Sequence, residues 1–199
     1  MSQGIPGARN VDHIGVSVPS LDQAISFFRN VLGAEFLFRF DEGPGTENPA
    51  DLEKTLGVDP TSKLCIAMMS LGPSLNLELM EYTTPGQNHS VPKNSDVDVP
   101  HIAFWVEDME IAAKYLAKHG CPLLAGPFQS DQGLKTGQQI RYFTAPWGMA
   151  LEILHRPDHM PYEKETQSRL FGPLPSWQHP LTLPATQVPE NIIGLSRSN

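Results

Sequence analysis

Cysteine is scarce in this chain. Only Cys65 and Cys121 occur among 199 residues, and no paired spacing links them, so neither a disulfide-built scaffold nor a zinc ribbon accounts for the fold; both are read as buried thiols. Cations are few as well. Fourteen Lys and Arg against 22 Asp and Glu give a formal charge of −8, and neither end carries the basic cluster on which phosphate contacts depend. Nucleic acid is therefore excluded as a partner, and a small molecule is expected instead. No apolar run is long enough to cross a bilayer, and Met1 to Arg9 lack the apolar stretch of a signal peptide. No membrane partner is expected, and the cytoplasm is the default location. What the chain does have is a 40% share of hydrophobic residues, enough for one ordinary domain or two small packed halves.

Two stretches read as copies of each other: Val11-Asp12-His13-Ile14-Gly15-Val16-Ser17-Val18 and Val99-Pro100-His101-Ile102-Ala103-Phe104-Trp105-Val106. Each sets a histidine at the third position of an apolar strand, and each leads into an amphipathic helix. A later strand in each copy carries a glutamate between apolar neighbours, Leu75 to Met80 around Glu78 and Met149 to Leu154 around Glu152. The ionisable residues thus recur in the order His, Glu, His, Glu. A repeat fixes the architecture first, and this one repeats chemistry with it.

Alternation along residues 11–18 sends Ile14, Val16 and Val18 to one face and His13, Gly15 and Ser17 to the other. Ser20 then caps a helix striped by Leu21, Ala24, Ile25, Phe28, Val31 and Leu32 and stopped by Gly33. The second copy follows the same plan: Asp108 caps, Met109, Ala112, Ala113, Leu116 and Ala117 form the stripe, and Gly120 closes. Apolar runs come next, Ala34 to Phe40 and Cys121 to Leu124. Between them and the last strands lie an acidic, Gly/Pro-rich insertion at 41–60, of the kind that forms a lid or pocket wall, and a simpler polar loop at 126–139. The insertion holds a short helix around 50–56. Hairpins at 63–82 and 138–154 complete the two copies. The chain is therefore α+β, with a first strand–helix–three-strand module at 10–82, a linker at 83–98, a second module at 99–156 and a Pro-rich extension at 157–199, in which Leu170, Phe171 and Trp177 are expected to dock.

Neutral imidazoles and carboxylates together suit a divalent first-row metal, and two of each leave room for water or substrate. Because Leu75, Leu77 and Leu79 share one face of their strand, Glu78 falls on the opposite face, while Glu81 lies with the leucines and is the weaker candidate. A lone strand histidine is more often a hydrogen-bonded core or surface residue than a ligand, and a lone strand glutamate is usually solvated. Equivalent placement in both copies reverses that reading. His89, His119, His155, His159 and His179 lack any such duplication and are read as surface residues. Tyr142 lies on the strand neighbouring Glu152 and is expected near the site as a proton donor, although a packing role is the simpler reading. Trp147 is expected to serve turn packing.

These residues resemble the vicinal oxygen chelate superfamily, which includes glyoxalase I, methylmalonyl-CoA epimerase, extradiol dioxygenases and the fosfomycin and bleomycin resistance proteins. The resemblance is carried over residues 10–156 by His13 to Val18, Phe27 to Gly33, His101 to Phe104 and Ala145 to Glu152. It implies two paired βαβββ modules whose curved mixed sheets enclose a metal cleft, with His13, Glu78, His101 and Glu152 as the metal ligands. It also implies a metal-dependent lyase or isomerase, with Zn, Ni, Co or Mn, in which Glu78 or Glu152 moves a proton next to a carbonyl through an enediolate. Homodimers are common in that family. One alternative is an Fe(II) extradiol-type dioxygenase built on His13, His101 and Glu152 with Tyr142 nearby. Another is a non-catalytic binding or resistance protein with a pocket lined by Met68, Met80, Trp105 and Phe143. Of the residues that hold glutathione in glyoxalase I, only Arg39 offers a match.

Overall fold

The computed structural model of the chain describes residues 5–41 and 49–174. In chain order its elements are β1 (Ile14–Ser17), α1 (Leu21–Asn30), β2 (Glu35–Phe40), α2 (Pro49–Leu56), β3 (Lys63–Leu71), β4 (Leu75–Thr83), β5 (Ile102–Trp105), α3 (Met109–Lys118), β6 (Phe128–Gln129), β7 (Gln139–Thr144) and β8 (Ala150–His155). They form two four-stranded sheets of one plan, β1-β4-β3-β2 and β5-β8-β7-β6. In each, the first and last strands of the module pair in parallel and the remaining pairs are antiparallel. The two βαβββ modules expected from the repeat are both there.

Local chemistry sets the helix ends. Ser20 and Asp108, both extended, accept hydrogen bonds from the backbone N–H of Gln23 and of Glu110 and Ile111, respectively. Gly33 and Gly120 then adopt φ of 74° and 77°, a left-handed turn that a side chain disfavours. Each helix lays its apolar stripe on one side of its sheet. Leu21, Ala24 and Phe28 bury against Ala67, Met69, Leu77 and Leu79, and Met109, Ala113 and Leu116 bury against Phe143, Leu151 and Ile153. This helix-covered side is called the outer face below.

The halves are joined through the same core. Trp147, in the β7–β8 turn, sets its ring 5.5 Å from Phe27 and 6.2 Å from Phe28, and the Tyr115 hydroxyl donates to the Val31 carbonyl at 2.9 Å. Trp147 therefore serves packing, as expected, but between modules as well as within its turn.

Several details depart from the sequence reading. The ladder of β1 begins at Ile14, leaving Val11 to His13 ahead of it. Cys121 to Leu124 is not a strand: Pro122 has no N–H to give, and the segment meets β7 through Leu124 N–H to the Tyr142 carbonyl, Thr144 N–H to the Pro122 carbonyl, Arg141 Nε to the Leu124 carbonyl, and a bridge of Leu123 with Phe143. The edge strand is instead the two-residue β6, inside the expected polar loop. In the extension, Leu170 and Phe171 do not dock; Phe171 is 97% exposed. That segment is held by its main chain, with Arg156 donating to the Phe171 carbonyl and Leu170 N–H to the Tyr162 hydroxyl, while Met160 supplies the buried side chain. Trp177, His179 and residues 42–48 of the insertion lie outside the described residues. Cys65 and Cys121 are unbridged. No described helix is long and apolar enough to cross a membrane.

Candidate active site

Register places the candidate residues. Glu78 pairs across to Gly15 on one side and Met68 on the other, and Met68 in turn to Phe38. His13 precedes Gly15 by two residues, so alternation puts it on the same face, away from α1. In the second module Glu152 stands between Ala103 and Tyr142, with His101 two residues before Ala103. Both His–Glu pairs therefore sit on the inner faces, the sides of the sheets opposite α1 and α3.

Within each module the pair is close. His13 Nε2 lies 3.5 Å from Glu78 Oε2, and His101 Nε2 lies 2.9 Å from Glu152 Oε2. Donors bonded to one ion at about 2.1 Å stand about 3.0–3.5 Å apart between octahedral and tetrahedral angles, so each pair has the spacing of two neighbouring ligands. Glu152 is only 5% exposed. Among the described residues, neither Glu78 nor Glu152 has a Lys or Arg partner. A buried carboxylate without a cation is expensive, and a divalent ion is the kind of charge that would offset it. Two imidazoles and two carboxylates fit such an ion in donor chemistry and in spacing within each pair. The four are not brought together in one chain: among the described residues no three His, Cys, Asp or Glu side chains converge as metal donors.

The surroundings of the two pairs differ. The Nδ1 of His13 lies 2.9 Å from Asp12 Oδ2, and that hydrogen bond, followed by the negative charge of Glu78, raises the imidazole pKa above its ordinary value, with burial acting the other way. Tyr142 sets its hydroxyl 3.4 Å from His101 Nε2, the position the hairpin argument anticipates. Burial first, and the nearby Glu152 next, push its phenol up, so it remains protonated. Tyr82 is likewise raised by burial and by Glu78. A Cβ on Gly15 would meet the flexible end of Met80, Cε, at 2.9 Å and stand 3.7 Å from Glu78 Oε2.

Charge is distributed unevenly between the two faces. The cations that lie in strands, Arg39, Lys63 and Arg141, pair across to Ala67, Thr83 and Ile153, all on outer faces. Arg39 is further occupied by Asp22 and Asp41 and is not free to hold an anionic ligand. The inner-face strands carry histidine, glutamate, tyrosine and apolar residues instead.

Other sequence candidates find different employment. Glu81 points to the outer side and accepts the N–H of Leu21, capping α1 at its N-terminus. His155 falls on the outer face with Ile153; its Nδ1 lies 3.0 Å from the Val106 carbonyl and its ring is tilted against that of Trp105 at 5.3 Å. His119 closes α3 against the Tyr115 carbonyl, and His159 is exposed beside Glu163. Phe143, expected to line a pocket, is buried under α3 because its neighbour Tyr142 takes the inner face. A groove of about 670 Å³ runs along α3, lined by Ala113, Leu123, Arg141 and His155, on the opposite side of the sheet from Glu152. The residues that sequence reasoning missed are Asp12 and Asn76. Asn76 donates from Nδ2 to the Asp12 carbonyl at 3.0 Å, and its place two residues before Glu78 on the same strand was the available signal.

Residues 12–140 match the sequence profile of the Glyoxalase/Bleomycin resistance protein/Dioxygenase superfamily. A 2-epi-5-epi-valiolone epimerase from Actinomyces sp. is 41% identical over 176 residues, which cover 88% of this chain and 94% of that one. Among solved structures, a glyoxalase family protein from Bacillus cereus superposes with a TM-score of 0.57 at 21% identity, covering 77% of this chain and 99% of its own. A glyoxalase/bleomycin resistance protein/dioxygenase domain from Frankia sp. EAN1pec gives 0.51 at 19% identity, covering 76% and 100%. The last two share the fold.

Proposed function

The chain belongs to the glyoxalase/bleomycin resistance protein/dioxygenase superfamily, and from that premise we propose that it is a metal-dependent epimerase acting next to the carbonyl of a small, uncharged substrate. The observation that carries this reading is the His–Glu pair held at equivalent positions of both inner faces, His13 with Glu78 and His101 with Glu152. The epimerase relative favours isomerase over lyase chemistry. Inner strand faces free of Lys and Arg favour a substrate without phosphate or carboxylate groups, because an anion there would find no Lys or Arg on the strands to pair with.

In this reading the four side chains hold one divalent ion between them. When bound, that ion supplies Lewis acidity toward the negative charge that develops on the carbonyl oxygen. The chain's own residues do the rest. One glutamate takes the proton from the carbon beside the carbonyl. Inversion requires a proton delivered to the other side of that carbon, and this reading assigns that delivery to the second glutamate. Tyr142, kept protonated by burial and by Glu152, donates a hydrogen bond to a substrate oxygen.

Completion of the donor set is assigned to a second copy of the chain. The pairs do not converge within one chain among the described residues, and each inner face leaves large apolar side chains uncovered: Phe38 at 47%, Phe40 at 52% and Phe128 at 66% exposed. A two-fold dimer that sets the first module of one chain against the second module of the other would complete two sites at once.

The test is incubation with 2-epi-5-epi-valiolone in deuterium oxide, followed by proton NMR. Epimerisation accompanied by deuterium at the inverted carbon is the expected result. Ring cleavage with uptake of oxygen would replace this reading with the dioxygenase, which shares Tyr142 but gives Glu78 no task. Binding without turnover in the metal-loaded protein would replace it with a carrier.

A further inference from the structure

The two half-sites are not built alike, and the difference points to work outside the four donors. Both histidines lie one residue ahead of their strands' regular ladders, which begin at Ile14 and Ile102. A residue in that position has no ladder bond to fix its backbone and tends to fray. In the second module Pro100 stiffens the chain just before His101, since its ring fixes φ. The first module has no proline there. It has Asp12, and in β4 it has Asn76 at the position that Ala150 occupies in β8.

Those two residues make a chain of bonds that the second module lacks. Asn76 Nδ2 donates to the Asp12 carbonyl at 3.0 Å, continuing the β1–β4 pairing by one side-chain bond. The Asp12 carboxylate lies 2.9 Å from His13 Nδ1. Nε2 of the same ring faces Glu78 at 3.5 Å. An imidazole that donates its Nδ1–H to a carboxylate keeps its Nε2 lone pair free, in a fixed direction.

The geometry points to Asp12 and Asn76 as positioning residues that hold the His13 ring in the tautomer and orientation a metal ligand requires; the proposal rests on His13 being one of the four donors. Asn76 anchors the main chain and Asp12 orients the ring. The second module meets the same need by a stiffened backbone, with the Tyr142 hydroxyl and Glu152 beside the ring.

The experiment uses the full chain, freed of metal and titrated calorimetrically with Zn²⁺ alone, together with ¹⁵N NMR of the His13 ring. Asp12→Ala is expected to weaken Zn²⁺ binding by about 10- to 100-fold and to move the ring proton from Nδ1 toward Nε2, with no change in circular dichroism. Asp12→Asn is expected to recover most of the affinity, since its side-chain oxygen still accepts the Nδ1–H. Asn76→Ala is expected to weaken binding in the same direction, and its effect should not add fully to that of Asp12→Ala, because both act through one bonded chain. Unchanged affinity and an unchanged ring tautomer in Asp12→Ala would overturn the proposal. Unchanged affinity in His13→Ala would overturn the donor set itself, so the two failures are told apart.

Discussion

Glu78→Gln and Glu152→Gln are each expected to lower kcat by about 10²- to 10⁴-fold, the range a positioned proton-transfer group supplies, while the protein stays folded. Glutamine keeps the size of glutamate and its capacity to hydrogen-bond, but it cannot take a proton from carbon. Glu152 is buried beside His101 and Tyr142, and glutamine fills the same space with the same capacity to accept hydrogen bonds, so stability is expected to stay near that of the parent. Glu81→Gln serves as the contrast. Glu81 lies on the outer side and caps α1, so its loss should lower thermal stability while leaving kcat near that of the parent. Turnover by stopped-assay NMR and melting by circular dichroism separate the two patterns. Full activity in both Glu78→Gln and Glu152→Gln would contradict the proton-transfer role.

Complementation between two inactive variants is the second large effect. One variant carries His13→Ala and Glu78→Gln, and the other carries His101→Ala and Glu152→Gln; each alone should be inactive. If two chains share their sites, a mixed dimer contains one site with all four donors and one with none. Random exchange makes half of the dimers mixed, so the mixture should recover about a quarter of the parent activity. The return of activity should follow subunit exchange and depend on the time of mixing. Sites confined to single chains would recover nothing, and a monomer by sedimentation would contradict the shared arrangement directly.

The repeat made the modules legible because strand alternation and helical spacing act locally. His13, Glu78, His101 and Glu152 could be placed on one kind of face from parity alone, and the register of β4 with β1 and of β8 with β5 puts them there. The same rule, carried one residue further, would have sent Phe143 to the outer face once Tyr142 was given the inner one. Other features depend on partners remote in sequence. Glu81 bonds Leu21 and Asn76 bonds Asp12, across 60 and 64 residues of chain, and no periodicity reports such pairs. The edge strand β6 formed where backbone geometry allowed it, beyond Pro122, rather than at the most apolar segment. How the modules meet was also hidden, because it rests on Trp147 packing against Phe27 and Phe28. Among the described residues, the modules so joined do not bring the two His–Glu pairs together within one chain.

The most direct test of the account is to strip the protein of metal with a chelator, restore a divalent ion in steps, and follow epimerase turnover and bound metal together. The account predicts that activity vanishes on stripping and returns in proportion to occupancy, saturating near one ion per chain, with no recovery in His13→Ala or His101→Ala. Undiminished turnover by metal-free protein, or restoration that ignores both histidines, would contradict it.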